Sequence, residues 1–203
     1  MARLAFGACI RMIADRMRAN MQEFYDYFER SSIGEDWDTS GLASATITDG
    51  KLVTEGNTYT WDTYVGAKYT GSLGLNGDFV IEADLEWVAR SSDIANIVVA
   101  LFDSSDNVLA YGGMRDAWTS RSGQVSCGIL AEEYRSGFDS RPASGTMVIR
   151  LERSGSTLYI YEDGNLRLSG TMTSIVDYIV LTNERSQSYN GKTAKWDYVT
   201  IRW

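Results

Sequence analysis

What most restricts the fold of this chain is a succession of short runs in which apolar and polar residues alternate, each closed by a turn-forming cluster. Thr46-Ile47-Thr48 and Lys51-Leu52-Val53-Thr54 flank Asp49-Gly50, two residues that tolerate the positive φ of a two-residue hairpin. From Phe79 to Trp87 a long strand sends Phe79, Ile81, Ala83, Leu85 and Trp87 to one face and Glu82, Asp84 and Glu86 to the other. Ile97 to Phe102 and Val108 to Met114 pair across Ser104-Ser105-Asp106-Asn107. Met147 to Arg153, Leu158 to Glu162 and Leu166 to Ser169 form a meander that turns at Ser154-Gly155-Ser156 and Asp163-Gly164-Asn165. Ile175 to Thr182 and Trp196 to Trp203 close the pattern. About a dozen such strands with no helix among them require two packed antiparallel sheets, a sandwich or jelly roll. No repeat at a fixed period is present.

A chain of 203 residues with 44% hydrophobic residues can bury a real core, and one domain is the natural size for it. The net charge of -8 opposes nucleic acid as a partner. Histidine is absent, which removes Ser-His-Asp and Cys-His catalysis, His-ligated zinc and a histidine pH switch. Cys9 and Cys127 are too few for a disulfide framework. In Gln124-Val125-Ser126-Cys127-Gly128-Ile129, Cys127 is in phase with Val125 and Ile129 and is expected to be a buried small hydrophobe; for Cys9 an intermolecular bridge stays open. There is no Asn-x-Ser/Thr sequon, and the apolar run Leu4 to Ile10, cut by Arg11, is too short for a secretion signal, so folding in a cytoplasm is expected.

The first stretch differs in kind. Ile10, Ile13, Met17, Met21, Phe24 and Phe28 recur at spacings of 3, 4, 4, 3 and 4, an apolar stripe on a helix. Residues 1–22 hold Arg3, Arg11, Arg16 and Arg18 against Asp15, a net of +3 that leaves -11 for the remainder. The expectation is a basic amphipathic helical arm over residues 1–24 and an acidic β domain over 25–203. Ile10, Ile13, Met17, Met21 and Phe24 would form the assembly anchor, because such a stripe is too apolar to face water alone.

Several segments, taken in order, resemble the concanavalin A-like lectin/glucanase superfamily, in the laminin G-like branch found in phage structural proteins and carbohydrate-binding modules. Asp26-Tyr27-Phe28-Glu29-Arg30-Ser31 with Trp37 looks like that branch's opening strand, and Asp49-Gly50-Lys51-Leu52 like its first hairpin. Gly77-Asp78-Phe79-Val80-Ile81-Glu82 resembles its long early strand. Ile149-Arg150-Leu151-Glu152-Arg153 with Leu158-Tyr159-Ile160-Tyr161-Glu162-Asp163-Gly164 resembles its late hairpin, and Trp196-Asp197-Tyr198-Val199-Thr200-Ile201 its closing strand. The resemblance implies an all-β, antiparallel two-sheet jelly roll, and by fold alone no function.

Three constellations could carry chemistry. Glu82, Asp84 and Glu86 are similar to the Glu-x-Asp-x-x-Glu motif of family 16 glycoside hydrolases, shortened by one residue. Retaining enzymes of that kind need carboxylates about 5–5.5 Å apart. This strand aligns better with an earlier, non-catalytic strand of the superfamily, and a solvated acidic face is the plainer account. Asp197, in phase with Val199 and Ile201, is expected to point inward, where the resemblance implies a structural calcium held with the opening strand near Asp26 or Tyr27. Backbone N–H groups or Arg30 could satisfy Asp197 instead. A glycan site is expected from Tyr159 and Tyr161, which are out of phase with Leu158 and Ile160, together with Arg115, Asp116 and Trp118 of one long loop and Tyr189 and Asn190 of another. Outward tyrosines are also ordinary cross-strand partners. Phosphate-binding Gly-rich loops, a Gly-x-Ser-x-Gly elbow and Cys-x-x-Cys are absent.

The combined expectation is a non-enzymatic virion structural protein: a phage capsid decoration, fibre or tail-associated subunit, made in the host cytoplasm. It would display a lectin-like domain toward a cell-surface glycan, contact other virion subunits through the helix, and assemble as a homo-oligomer without spanning a membrane. The alternatives are a free carbohydrate-binding module or lectin and, behind it, a family 16-like glycoside hydrolase.

Overall fold

The computed structural model describes residues 22–56, 64–88, 95–115, 126–129, 132–135, 144–185 and 193–203. The strands in chain order are β1 (Glu23–Asp26), β2 (Trp37–Asp38), β3 (Ser44–Thr48), β4 (Lys51–Glu55), β5 (Gly66–Tyr69) and β6 (Phe79–Val88). They continue with β7 (Ala95–Phe102), β8 (Val108–Arg115), β9 (Ser126–Ile129), β10 (Glu132–Arg135) and β11 (Ser144–Ser154). The last are β12 (Thr157–Glu162), β13 (Asn165–Thr171), β14 (Tyr178–Thr182), β15 (Glu184–Arg185) and β16 (Thr193–Arg202). A first sheet runs β13-β12-β11-β6-β16-β4-β3, with β1 also on β16; a second runs β10-β9-β8-β7-β14-β5-β2, with β15 also on β7.

Alternation explains why two sheets form. In β6, Phe79, Ile81, Ala83, Leu85 and Trp87 are all buried, and Met147, Ile149 and Leu151 of β11 continue the same inner face. Ile97, Val99 and Leu101 of β7, with Ile179 and Leu181 of β14, meet them from the second sheet in one apolar cluster. Each of these large side chains contributes about 1.5–3 kcal/mol when removed from water, which is what holds the sheets face to face. The Asp-Gly turns behave as their chemistry dictates: Asp49 and Gly50 take φ of 52° and 72°, Asp163 and Gly164 take 48° and 75°. Both central residues are left-handed, so the turn twist matches that of the flanking strands.

The closing strand departs from simple alternation. Trp196 pairs with Leu85 and Tyr198 with Asp84, leaving Asp197 as the extra residue of a β-bulge. The bulge shifts the phase, so that Ala194 and Trp196 face the core before it and Val199 and Ile201 after it. Asp197 is therefore turned out rather than in: its side chain is half exposed and lies 3.8 Å from the Lys51 ammonium.

The chain's entry differs from the expected helix and opening strand. Phe24 belongs to β1, paired with Ile201, and its ring packs on Trp37 (6.4 Å) and Tyr69 (4.7 Å), so it is not part of a helical anchor. Phe28 is fully buried and has a φ of 52°, which ends the extended run before it. Ile10, Ile13, Met17 and Met21 lie outside the described residues. Beside Trp37 sits the buried carboxylate of Asp26. Its Oδ1 accepts from the Phe28 N–H and Arg30 Nη1, both at 2.8 Å. Its Oδ2 accepts from Arg30 Nη2 at 2.7 Å and Trp37 Nε1 at 2.8 Å. The Arg30 Nε in turn donates to the Ser32 and Ile33 carbonyls. This knot ties β1 of the first sheet to β2 of the second. Asn183 makes another tie, its Nδ2 donating to the Thr54 carbonyl at 2.7 Å.

The same geometry overturns the expected calcium site. Asp26 already receives four donors, Arg30 supplies the positive charge, and Asp197 is on the outer face of the sheet beside a lysine. These residues do not fit the ion. Among the described residues, no group of three potential ligands gathers elsewhere.

Asp26→Ala should destabilise the fold by about 3–5 kcal/mol, because the Arg30 guanidinium and the Trp37 and Phe28 N–H groups would lose their shared acceptor. Differential scanning calorimetry should show that loss, and the Tm of the parent should be unchanged by a chelator. Cys127 is wholly buried, as its phase required, and burial pushes its thiol up to about 12. In a Cys9→Ser variant no thiol should react with a disulfide reagent at neutral pH until the protein is unfolded.

Candidate functional site

The two sheets carry different outer faces. On the first sheet the outward side chains are mostly charged, hydroxylated or tyrosine, with Val53, Val80, Val88 and Val148 among them. On the second, Val98, Ala100 and Phe102 of β7 join Tyr111, Val180 and Tyr64 in a second apolar cluster, separate from the core. A strand apolar on both faces normally lies between two layers, and these six side chains are each 8% exposed or less, so this layer is already covered within the chain and opens toward solvent at the groove beside Phe102.

At the Phe102 end of that cluster lies a groove of about 480 Å³, walled by the start of β5, the β7–β8 hairpin and β14. Its apolar wall is aromatic. The Tyr178 ring stacks on Phe102 with centroids 4.9 Å apart and planes within 5°. Tyr64 meets Phe102 edge-on at 5.9 Å and Tyr111 at 5.7 Å, held by a left-handed backbone with φ of 47°. Gly66 lets β5 approach β14 this closely, since a Cβ there would stand 2.1 Å from the Leu181 carbonyl oxygen.

The polar rim is equally built. The Lys68 ammonium sits 3.7 Å over the centre of the Tyr178 ring and 3.7 Å from Asp106 Oδ1. That carboxylate oxygen accepts from the Tyr178 hydroxyl. Burial, and then the Asp106 hydrogen bond, push the Tyr178 phenol well above the ordinary tyrosine range, so it donates across all physiological pH. Asp106 itself is left-handed, with φ of 62°, in a hairpin braced by Asp103. The Asp103 carboxylate accepts from the Asn107 side chain and from the Asn107 and Ser105 N–H groups, which hold its pKa below the usual range. Across the groove Asp38 accepts from the Ser40 N–H, with its pKa lowered by that bond. One face of Tyr178 is taken by Phe102 and the other by the Lys68 ammonium, so a ligand's C–H groups could reach that ring only by displacing Lys68, while the ammonium and two carboxylates of the rim have the chemistry to bond hydroxyl groups.

The residues expected from sequence fall elsewhere or outside the described set. Tyr159 and Tyr161 point outward as their phase required, stacked at 6.5 Å, but on the first sheet, away from the groove. Arg115 ends β8, opposite Asn96, in the sheet that carries the groove. Asp116, Trp118, Tyr189 and Asn190 lie outside the described residues. Glu82, Asp84 and Glu86 do share one face, the outer face of the first sheet, and Glu82 and Glu86 are already engaged. Glu82 accepts from Tyr198 at 2.9 Å. Glu86 accepts from Lys195 at 2.7 Å and Lys51 at 3.2 Å, bonds that lower its pKa. Burial, then the neighbouring Asp197 charge, push the Asp84 carboxyl up.

Tyr64, Lys68, Phe102, Asp106 and Tyr178 were missed. The one local signal was the run Ile97 to Phe102, which contains no polar residue and so cannot alternate between core and water. Which residues would line its outer side depends on β5 and β14, neighbours distant in sequence.

No protein-family model matches the chain, and no curated protein matches it. Solved structures do. The CBM2 module of the evolved Dit of Lactobacillus casei BL23 phage J-1 superposes with a TM-score of 0.66 at 13% identity, over 90% of this chain and 96% of that one. A Bacillus licheniformis β-glucanase superposes with a TM-score of 0.56 at 12% identity, over 88% and 97%. The carbohydrate recognition domain of Emp47p does so with a TM-score of 0.58 at 10% identity, over 88% and 93%. With its two antiparallel sheets and these likenesses, the described chain has the concanavalin A-like jelly-roll fold.

Proposed function

We propose that this protein is a non-enzymatic glycan-binding module of a virion, a phage capsid, fibre or tail component, whose sugar seat is the groove beside Tyr178. The carrying observation is the aromatic wall of Tyr178, Phe102 and Tyr64 under a rim of Lys68, Asp106 and Asp38. A pyranose that displaces the Lys68 ammonium packs its C–H groups on the Tyr178 face away from Phe102 and bonds its hydroxyls to the rim. Likeness to a phage Dit module supports the virion setting. The basic, apolar sequence of residues 1–21 supports attachment to a neighbouring subunit.

Binding without hydrolysis is the reading the carboxylates support. Glu82, Asp84 and Glu86 lie on the sheet facing away from the groove, and Glu86 is held charged between two lysines. A retaining mechanism needs a protonated acid beside a free nucleophile about 5–5.5 Å away.

Affinity electrophoresis in gels containing laminarin, mixed-linkage glucan or a bacterial cell-wall polysaccharide extract should show retardation by at least one of them. Tyr178→Ala should weaken it at least tenfold, about 1.4 kcal/mol. The same polysaccharides should yield no reducing ends. Retardation unaffected by Tyr178→Ala would move the seat elsewhere, and hydrolysis lost in Glu82→Gln or Glu86→Gln would overturn the non-enzymatic reading.

A further inference from the structure

At the end of the first sheet where β6 begins and β11 and β16 end lies a second cleft of about 300 Å³, lined by outward side chains (Arg150, Glu152, Arg202) and inward ones (Phe79, Arg153). Arg150, Arg153 and Arg202 line it, with Asp78, Glu152 and Trp203. Arg153 follows the inward phase of Met147, Ile149 and Leu151 and is only 6% exposed. Its Nε donates to the Gly155 carbonyl at 3.0 Å and its Nη1 to the Ser174 carbonyl at 2.9 Å, both neutral acceptors. Among the described residues, no carboxylate pairs with Arg153 or Arg202.

Of the acids near these arginines, Glu152 pairs with Arg150 within the cleft, while Asp78 and Glu23 are bonded elsewhere. Asp78 Oδ1 accepts from the Gly155 N–H at 2.7 Å. Glu152 Oε2 accepts from Arg150 Nη2 at 2.7 Å. Glu23, the cross-strand partner of Arg202, accepts from the Tyr25 hydroxyl. The Nε atoms of Arg150 and Arg202 are buried and have no acceptor. Arg150 also lies over the Tyr161 ring, 5.8 Å from its centre, which fixes the plane of its guanidinium. Guanidinium charge taken from water without an anion is costly, and planar N–H forks match the oxygens of carboxylate and sulfate.

We propose that this cleft is an oxyanion site, for a carboxylate or sulfate group carried on an acidic saccharide or free in solution. It is on the opposite sheet from the Tyr178 groove and independent of that assignment. Only a positively charged cleft in a chain of net charge -8 would attract such a group, and its size accommodates a single charged sugar unit.

The test is isothermal titration of the full chain at low ionic strength with sodium sulfate, sodium glucuronate and, as neutral control, glucose. Saturable binding of an anion and none of glucose is expected, with Arg202→Gln weakening it at least tenfold and Tyr178→Ala leaving it unchanged. Binding of both anions assigns the oxyanion itself as ligand. Binding of glucuronate alone assigns a sugar-borne carboxylate, and either result supports the site. Saturation by neither anion overturns it, as does parental affinity in both Arg202→Gln and Arg150→Gln, variants whose folding is checked by their Tm.

Discussion

The dry layer between the two sheets is the constraint on which everything else rests. β6 supplies its middle: Phe79, Ile81, Ala83, Leu85 and Trp87 leave no polar side chain on the inner face, and β11 and β16 flank the strand along its length. Because side chains alternate with period two, sealing one face of such a strand commits the other face to its own chemistry. The carboxylates of Glu82, Asp84 and Glu86 are the consequence; Tyr198 and Lys195 of the adjacent β16 donate to Glu82 and Glu86, and Lys51 of β4 reaches Glu86 from one strand beyond. Two of the three acids are thus bonded within the sheet, while burial raises the carboxyl of Asp84 between them.

Apolar contact alone would let the sheets slide, since it has no direction. Buried polar groups supply the direction. Asp26 accepts donors from both sides of the sandwich edge, and Asn183 reaches across to Thr54. A carboxylate buried with four donors specifies one arrangement of β1 against β2, because losing any donor exposes an unmet charge. Arg30 supplies at this edge the positive charge that the buried carboxylate needs.

The unlike outer faces divide the labour. The second sheet, apolar on both sides around Phe102, can present aromatic rings to a ligand, and the left-handed residues Tyr64 and Asp106 aim their side chains at the groove. The first sheet, mainly polar outside, brings three arginines to one cleft, where Arg153 is held on neutral carbonyls and, among the described residues, Arg202 Nε has no acceptor. A single small sandwich thereby offers two chemically distinct surfaces facing opposite ways.

Much of this was legible in the sequence: the alternation of β6 and β11, the Asp49-Gly50 and Asp163-Gly164 turns, the burial of Cys127 and the outward set of Tyr159 and Tyr161 all follow from local rules of period and φ. Phe24 did not, because the apolar spacing that fits a helix also fits one residue of a strand, and only pairing with Ile201 decides between them. Asp197 did not, because a bulge arises from the mismatch of two strands and leaves no mark on either sequence. The groove was least legible of all. Tyr64, Lys68, Phe102, Asp106 and Tyr178 come from three separate strand regions, so the sequence by itself determined that a two-sheet sandwich would form, through period-two burial. Only tertiary structure decided which side chains meet on its surface, since strand order and register are set by packing between residues far apart in the chain.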